Sequence, residues 1–282
     1  METMAPAAGT RGFLGSRPDP YHTGGSVLEH PATGTETTAE EWYRRGTALT
    51  CTGRYAEAIG CFDRALEQEP ENPRVLVALG AAVDRLGLFR ETLLCCERAL
   101  ETDPGCTDAW FMKGLALFRL AQYREAIACF DEVVSGDPGH AEAWFMSGNC
   151  HYQNGELEDA IRCFDMTLGI RRKYPKALYN TGVALAELGE FEEAVRFYDE
   201  CLAVNPGVAM VMTNKAVALA RLRQYDEAEA LLRDALETDP LDATAWANLG
   251  LCLGRLGRKK ESAACFTRVR ELTGGNVRDI VR

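Results

Sequence analysis

Apolar residues recur along the chain in two interleaved helical phases that share an interval of 34 positions. Trp42, Trp110, Trp144 and Trp246 fall on one phase, and Leu76, Leu178 and Met212 fill the same slot between them. Four positions on stand Gly46, Gly80, Gly114, Gly148, Gly182, Ala216 and Gly250, all small. Three further on are Leu49, Val83, Leu117, His151, Leu185, Leu219 and Leu253. The spacing i, i+4, i+7 lines one face of an α-helix. A break at Gly53, Gly87, Gly155, Gly189 and Gly257 follows, where a helix can end in the left-handed conformation. A second amphipathic stretch then carries Ala58, Thr92, Ala126, Ala160, Ala194, Ala228 and Ser262. Four residues after each come Phe62, Cys96, Phe130, Phe164, Tyr198, Leu232 and Phe266. Small residues at matched heights let two helices approach while the bulky ones fill the space between them. Pro70, Pro104, Pro138, Pro206 and Pro240 terminate that second helix. Each period predicts a helix–turn–helix hairpin.

Seven copies fit between Ala39 and Asn276, with boundaries at 39–72, 73–106, 107–140, 141–174, 175–208, 209–242 and 243–276. The order Trp or Leu, Gly, Tyr or Leu, Ala, Phe, Ala, Pro across 34 residues resembles the tetratricopeptide repeat (TPR) family. That resemblance implies an all-α fold, a right-handed α-solenoid or superhelix of antiparallel hairpins. It also implies a concave inner surface, built from the first helices, where partners bind. The fourth copy departs from the pattern: Arg172 stands where proline is expected, and Pro175 follows three residues later. This predicts a junction that is packed or angled differently. One hairpin cannot bury both of its faces, so neighbours must stack into a continuous core with protected ends. Residues 277–282 read as a short capping stub, with Val277, Ile280 and Val281 continuing the apolar phase. Residues 1–38 lack periodicity and read as a flexible tail, whose Phe13, Leu14, Tyr21, Val27 and Leu28 could occupy the groove as an autoinhibitor.

Composition narrows the function classes. With 46% hydrophobic and 26% charged residues, the chain has ample material for a core. A formal charge of −11 repels phosphate backbones, which argues against nucleic acid as a partner. No apolar run is long enough to cross a bilayer and no secretory leader is evident, so no membrane association and a cytoplasmic location are expected. The odd number of cysteines, 11, points to reduced thiols.

Catalytic and metal motifs are not found, so the sequence predicts neither an enzyme nor a bound cofactor or metal. His151 occupies a slot held by Leu or Val in the other copies and reads as a core imidazole. Cys61, Cys95, Cys129, Cys163 and Cys265 share one phase. Stacked repeats lie ~10 Å apart, too far for disulfides or one shared zinc, so these thiols read as packing residues.

If positions 4, 8 and 11 of each copy are buried, positions 2, 5, 6, 9, 12 and 13 face the groove. Copies three and four place Phe111, Met112, Leu115 and Phe118, then Phe145, Met146, Asn149 and Tyr152, on that face. Such a patch is either core packed against a neighbour or an adaptable surface for a peptide or helix. Copies five to seven place Asn180, Asn214 and Asn248 at position 6. Asparagine amides in a row can hold the backbone of an extended peptide, as in the glycosyltransferase-associated TPR superhelices that this ladder resembles, or can bond one helix to the next. Asn149 and Asn180 also match the asparagines of chaperone-tail TPR clamps, but Phe145, Met210 and Asn214 stand where the clamp's cations belong. Lys176 lies close by, in the basic run Arg171, Arg172, Lys173 and Lys176, which is either solvated or a landing point for an acidic segment. The reading that results is a non-catalytic scaffold for a protein or peptide partner. A homo-oligomeric assembly module and an accessory subunit of an enzyme complex are its alternatives.

Overall fold

A computed structural model describes residues 37–274. The readings of the tail before residue 37 and of the stub 277–282 lie outside the described residues. Among the described residues there are fourteen helices and no strand. In chain order they are α1 (Ala39–Cys51), α2 (Tyr55–Gln68), α3 (Pro73–Asp84), α4 (Phe89–Thr102), α5 (Thr107–Arg119), α6 (Tyr123–Gly136) and α7 (Ala141–Gln153). There follow α8 (Leu157–Ile170), α9 (Pro175–Leu188), α10 (Phe191–Val204), α11 (Ala209–Arg221), α12 (Tyr225–Thr238), α13 (Ala243–Arg255) and α14 (Lys259–Thr273). Each odd-numbered helix packs on the even-numbered helix after it and, from α3 onward, on the one before it. Successive odd-numbered helices, α7 and α9 excepted, also approach one another directly, so they form the inner layer of the stack.

Backbone chemistry sets the hairpins. Gly53, Gly87, Gly155, Gly189 and Gly257 all take positive φ between the two helices of a pair, and Ala121 and Arg223 take the same left-handed turn in copies three and six. Pro175 does not end a helix; it opens α9 at its first turn, where proline's missing N–H costs nothing.

The hairpin interior is a ring-on-backbone contact. Phe62, Phe130, Phe164 and Tyr198 are almost wholly buried. A Cβ added to Gly46, Gly114, Gly148 or Gly182 would lie 2.5, 2.7, 2.6 or 2.6 Å from the ring opposite it. Ala216, in the glycine slot of copy six, shares its cluster with Leu232 rather than with a ring. At Gly80 the opposing residues are Cys95 and Cys96, and an added Cβ would sit at an ordinary 3.4 Å or more.

The tryptophans are half-buried rather than fully enclosed. Trp110 packs against the clusters on both sides of it and so spans a junction. Its indole N–H donates to the Pro104 carbonyl at 2.9 Å, as Trp144 does to Pro138 at 3.2 Å and Trp246 to Pro240 at 3.0 Å. The indole therefore ties the first helix to the inter-repeat turn, with its polar edge satisfied there.

A row of carboxylates on the second helices meets position 7 of the next copy. Glu97 pairs with Lys113 at 3.3 Å and Asp199 with Lys215 at 2.5 Å. The residue corresponding to those lysines opposite Asp63 is Leu79. Asp63 Oδ1 is buried without a hydrogen-bond partner, and desolvation, with Glu67 adding to it, pushes its pKa up to about 6. The folded chain then holds a proton at Asp63 that the unfolded chain has released, so stability falls as pH rises from about 4 to about 6 and stays reduced above that. Asp63→Asn should gain about 1 kcal/mol at pH 7.5 and nothing near pH 4, measured by urea unfolding at both pH values. An equal gain at both would contradict burial of the charge as the cause.

Candidate partner-binding groove

The inner helices carry each position-5 aromatic into the junction rather than into the open groove. Tyr43, Phe111, Phe145 and Tyr179 lie against the ring on their own second helix, with centroids 6.2, 5.8, 5.8 and 6.2 Å apart. On the other side, His140 stands 4.8 Å from Phe111, and Tyr174 stands 5.2 Å from Phe145. Phe145 is 7% exposed and belongs to a buried cluster with Ala160, Phe164 and Ala177. Its placement on the groove surface is therefore corrected: the α-helical face that packs is wider than positions 4, 8 and 11, because each inner helix is covered on both flanks. Phe111, Leu115 and Phe118 are half-buried around the α5–α6 core, and the Phe118 ring sits 5.5 Å from Tyr123. Met112 and Met146 are also half-buried.

The polar positions form bonds from one inner helix to the next. The Asn180 amide donates to Asn149 Oδ1 at 2.7 Å, and the Asn214 amide donates to the Tyr179 hydroxyl at 2.8 Å. The Asn149 amide in turn contacts Met146 Sδ at 3.7 Å. Tyr152 donates its hydroxyl to Glu187 on α9. Burial raises the Tyr152 pKa and the Glu187 bond raises it further, so the phenol stays protonated. Tyr179, which the sequence reading did not single out, is thus part of the row, while Asn248 is half-buried and makes no side-chain bond with a described residue. Lys176, Arg171, Arg172 and Lys173 are exposed and make no ion pair among the described residues.

Close approach of successive inner helices holds at α1/α3, α3/α5, α5/α7, α9/α11 and α11/α13, and thins at α7/α9. This is the junction after Arg172. The two side-chain bonds Asn180–Asn149 and Tyr152–Glu187 cross it.

Two concavities lie on the inner layer. One, of about 990 Å³, is floored by Tyr43, Val77, Ala78 and Ala81 and rimmed by Glu69, Glu71, Asp103 and Asp108. The other, of about 380 Å³, is lined by Val183, Glu187, Phe191, Asn214, Val217 and Arg221, with the Arg221 guanidinium 4.6 Å over the Phe191 ring. The sequence reading missed the first. Its signal was available, since α3 carries Val77, Ala78 and Ala81 where α5 carries Phe111, Met112 and Leu115.

His151 is not a plain core imidazole. Its Nδ1 lies 2.6 Å from Glu156 Oε2 with the side chain 20% exposed, and Asp159 stands near enough that donor atoms of the three lie within 4.8 Å of one another. Arg162 already pairs with Asp159. The thiols in the repeated phase are mostly buried and all unlinked. Burial pushes Cys95 and Cys129 up to about 11, so they stay protonated and serve as packing residues.

The stacked hairpins, with an inner layer of first helices, define a right-handed α-solenoid. The chain belongs to the tetratricopeptide repeat family, as seven tandem 34-residue hairpins. A family model of the cilia and flagella-associated protein 70 C-terminal domain matches residues 133–271. One of the anaphase-promoting complex, cyclosome, subunit 3 matches residues 52–133. No curated protein sequence matches significantly. Among solved structures, the C-terminal part of a TPR repeat-containing protein from Cytophaga hutchinsonii is 18% identical, with a TM-score of 0.70 over 85% of this chain and 99% of that one. A tetratricopeptide repeat protein from Parabacteroides merdae is 18% identical, with a TM-score of 0.62 over 86% and 95%. YrrB, described as a TPR protein with an unusual peptide-binding site, is 20% identical, with a TM-score of 0.59 over 65% and 95%. No helix among the described residues is long and apolar enough to cross a membrane.

Proposed function

We propose that the chain is a non-catalytic interaction scaffold that holds an extended peptide of a partner protein along the inner faces of α5 to α13. The observation that carries this reading is the aligned row Asn149, Asn180, Tyr179 and Asn214, already bonded from helix to helix. An amide offers two N–H donors and two acceptor sites, so each bonded asparagine retains capacity for a peptide backbone while its orientation is fixed. Asn248 extends the row, Lys176 and Tyr152 flank it, and Met112 and Met146 supply adaptable apolar contacts beside the half-buried Phe111, Leu115 and Phe118. The peptide-binding YrrB shares this fold, which supports the reading by analogy.

The test is selection of binders from a random peptide display library on the full chain. Selected peptides should bind Asn180→Ala/Asn214→Ala about tenfold more weakly, as should Met112→Glu, with helicity unchanged by circular dichroism. Peptides that bind these variants as tightly as the parent would overturn the groove as the site.

A further inference from the structure

The 990 Å³ cavity over α3 has an apolar floor and a rim of four carboxylates. Glu69 receives the Asn72 amide and Asp103 caps the backbone of Gly105, but Glu71 and Asp108 make no ion pair with any described residue. Among the described lining residues the one cation, Arg74, lies over the Tyr43 ring at 4.9 Å and stands 3.8 Å from Glu40. The cavity is thus matched to a segment with apolar side chains at its centre and cations at both ends.

The chain contains such a segment close by. Arg11-Gly12-Phe13-Leu14-Gly15-Ser16-Arg17 places one aromatic and one aliphatic residue between two arginines, the only Lys or Arg among residues 1–36. Its tether begins at the cavity wall. The Thr37 carbonyl accepts from Gln68 Nε2 at 2.9 Å, and Glu69, Pro70, Glu71 and Asn72, the residues after Gln68, line the cavity. Twenty positions separate Arg17 from Thr37. Linker scaling gives twenty residues an r.m.s. span of about 25 Å and a limit of about 66 Å, a reach that includes the cavity. Tethering at that range gives an effective concentration on the order of millimolar, enough to fill a weak site.

We infer that residues 11–17 dock in cis into the cavity of the first three repeats, with Phe13 and Leu14 on the Val77–Ala78–Ala81 floor and Arg11 and Arg17 at Glu71 and Asp108. This contact does not depend on partner binding along α5 to α13, and its test reads no partner.

Methyl NMR of the full chain provides that test. Phe13→Asp/Leu14→Asp should shift the Val77, Ala78 and Ala81 methyls and leave Val183 and Val217 in the distant cleft unchanged. Amide exchange at residues 11–17 should be about fivefold slower in the parent than in that variant. Arg11→Glu/Arg17→Glu should abolish both effects, and adding Glu71→Arg/Asp108→Arg should restore them. The shifts should persist on tenfold dilution; loss on dilution would mean that a second copy supplies the segment and would overturn the cis assignment. Identical Val77, Ala78 and Ala81 signals in parent and variants would overturn the docking itself. All the tail substitutions precede the first described helix, which begins at Ala39, so failure of the array to fold does not cloud the result.

Discussion

Phe145→Ala should lose about 3–5 kcal/mol of stability, the cost of truncating a buried aromatic, although position 5 nominally belongs to the groove face. The ring is 7% exposed, with Phe164 on one side and Tyr174 on the other. It therefore joins copy four to the turn that begins copy five. That junction is also where the inner helices α7 and α9 approach least. Because a repeat array is held by nearest-neighbour interfaces, weakening one interface should uncouple the stack there. Urea unfolding should split into two transitions, and hydrogen exchange should rise first in α7 to α9. A loss below about 1 kcal/mol with a single transition would return Phe145 to the groove surface. The same burial makes Phe145 unsuitable as a probe of partner binding, since its truncation would weaken the scaffold and the site together.

The hairpins were legible because their determinants are local: an apolar phase, a left-handed turn residue and a proline recur every 34 positions. The groove was less so, because the width of a helix's packed face depends on how many neighbours flank it. A cue for Phe145 did lie within the chain. Aromatic residues occupy position 5 at Tyr43, Phe111, Phe145 and Tyr179, and those are the copies whose second helix carries Phe62, Phe130, Phe164 and Tyr198 with a glycine between. Val77 and Thr213 stand at position 5 where Cys96 and Leu232 replace the ring, and copy seven alone departs, with Ala247 at position 5 before Phe266. Ring-on-ring packing explains that covariation; exposure to a partner does not. The asparagine row was legible as a row, but its use was not. Whether Asn180 reaches Asn149 depends on the offset between α7 and α9, which follows from side-chain packing at the junction and not from spacing along the chain. The cavity over α3 was not legible from bulky residues, because a cavity forms where a face carries small ones.

Gly148→Ala should destabilise the chain by about 2 kcal/mol, although alanine is the better helix former by about 1 kcal/mol in isolation. The new Cβ would meet Phe164 ring carbons at 2.6 and 2.7 Å and the Ala160 carbonyl at 3.2 Å. Phe164 is fully buried, so its ring cannot swing aside, and the overpacking outweighs the propensity gain. Gly80→Ala should do the reverse and gain about 0.5–1 kcal/mol, because its Cβ would have at least 3.4 Å of clearance over Cys95 and Cys96. Copy six supplies the rescue. Ala216 and Leu232 occupy these two positions together, so Gly148→Ala/Phe164→Leu reproduces a pair that the fold already contains. The double variant should be more stable than the sum of the two single losses predicts, by about 1 kcal/mol or more in a double-mutant cycle of urea midpoints. Additivity within about 0.5 kcal/mol would mean that the ring does not set the requirement for glycine. If the coupling appears, the single-atom clearance between a first-helix glycine and a second-helix ring fixes how closely each hairpin closes. That closure in turn sets the spacing at which the inner helices present Asn149, Asn180 and Asn214 to one another.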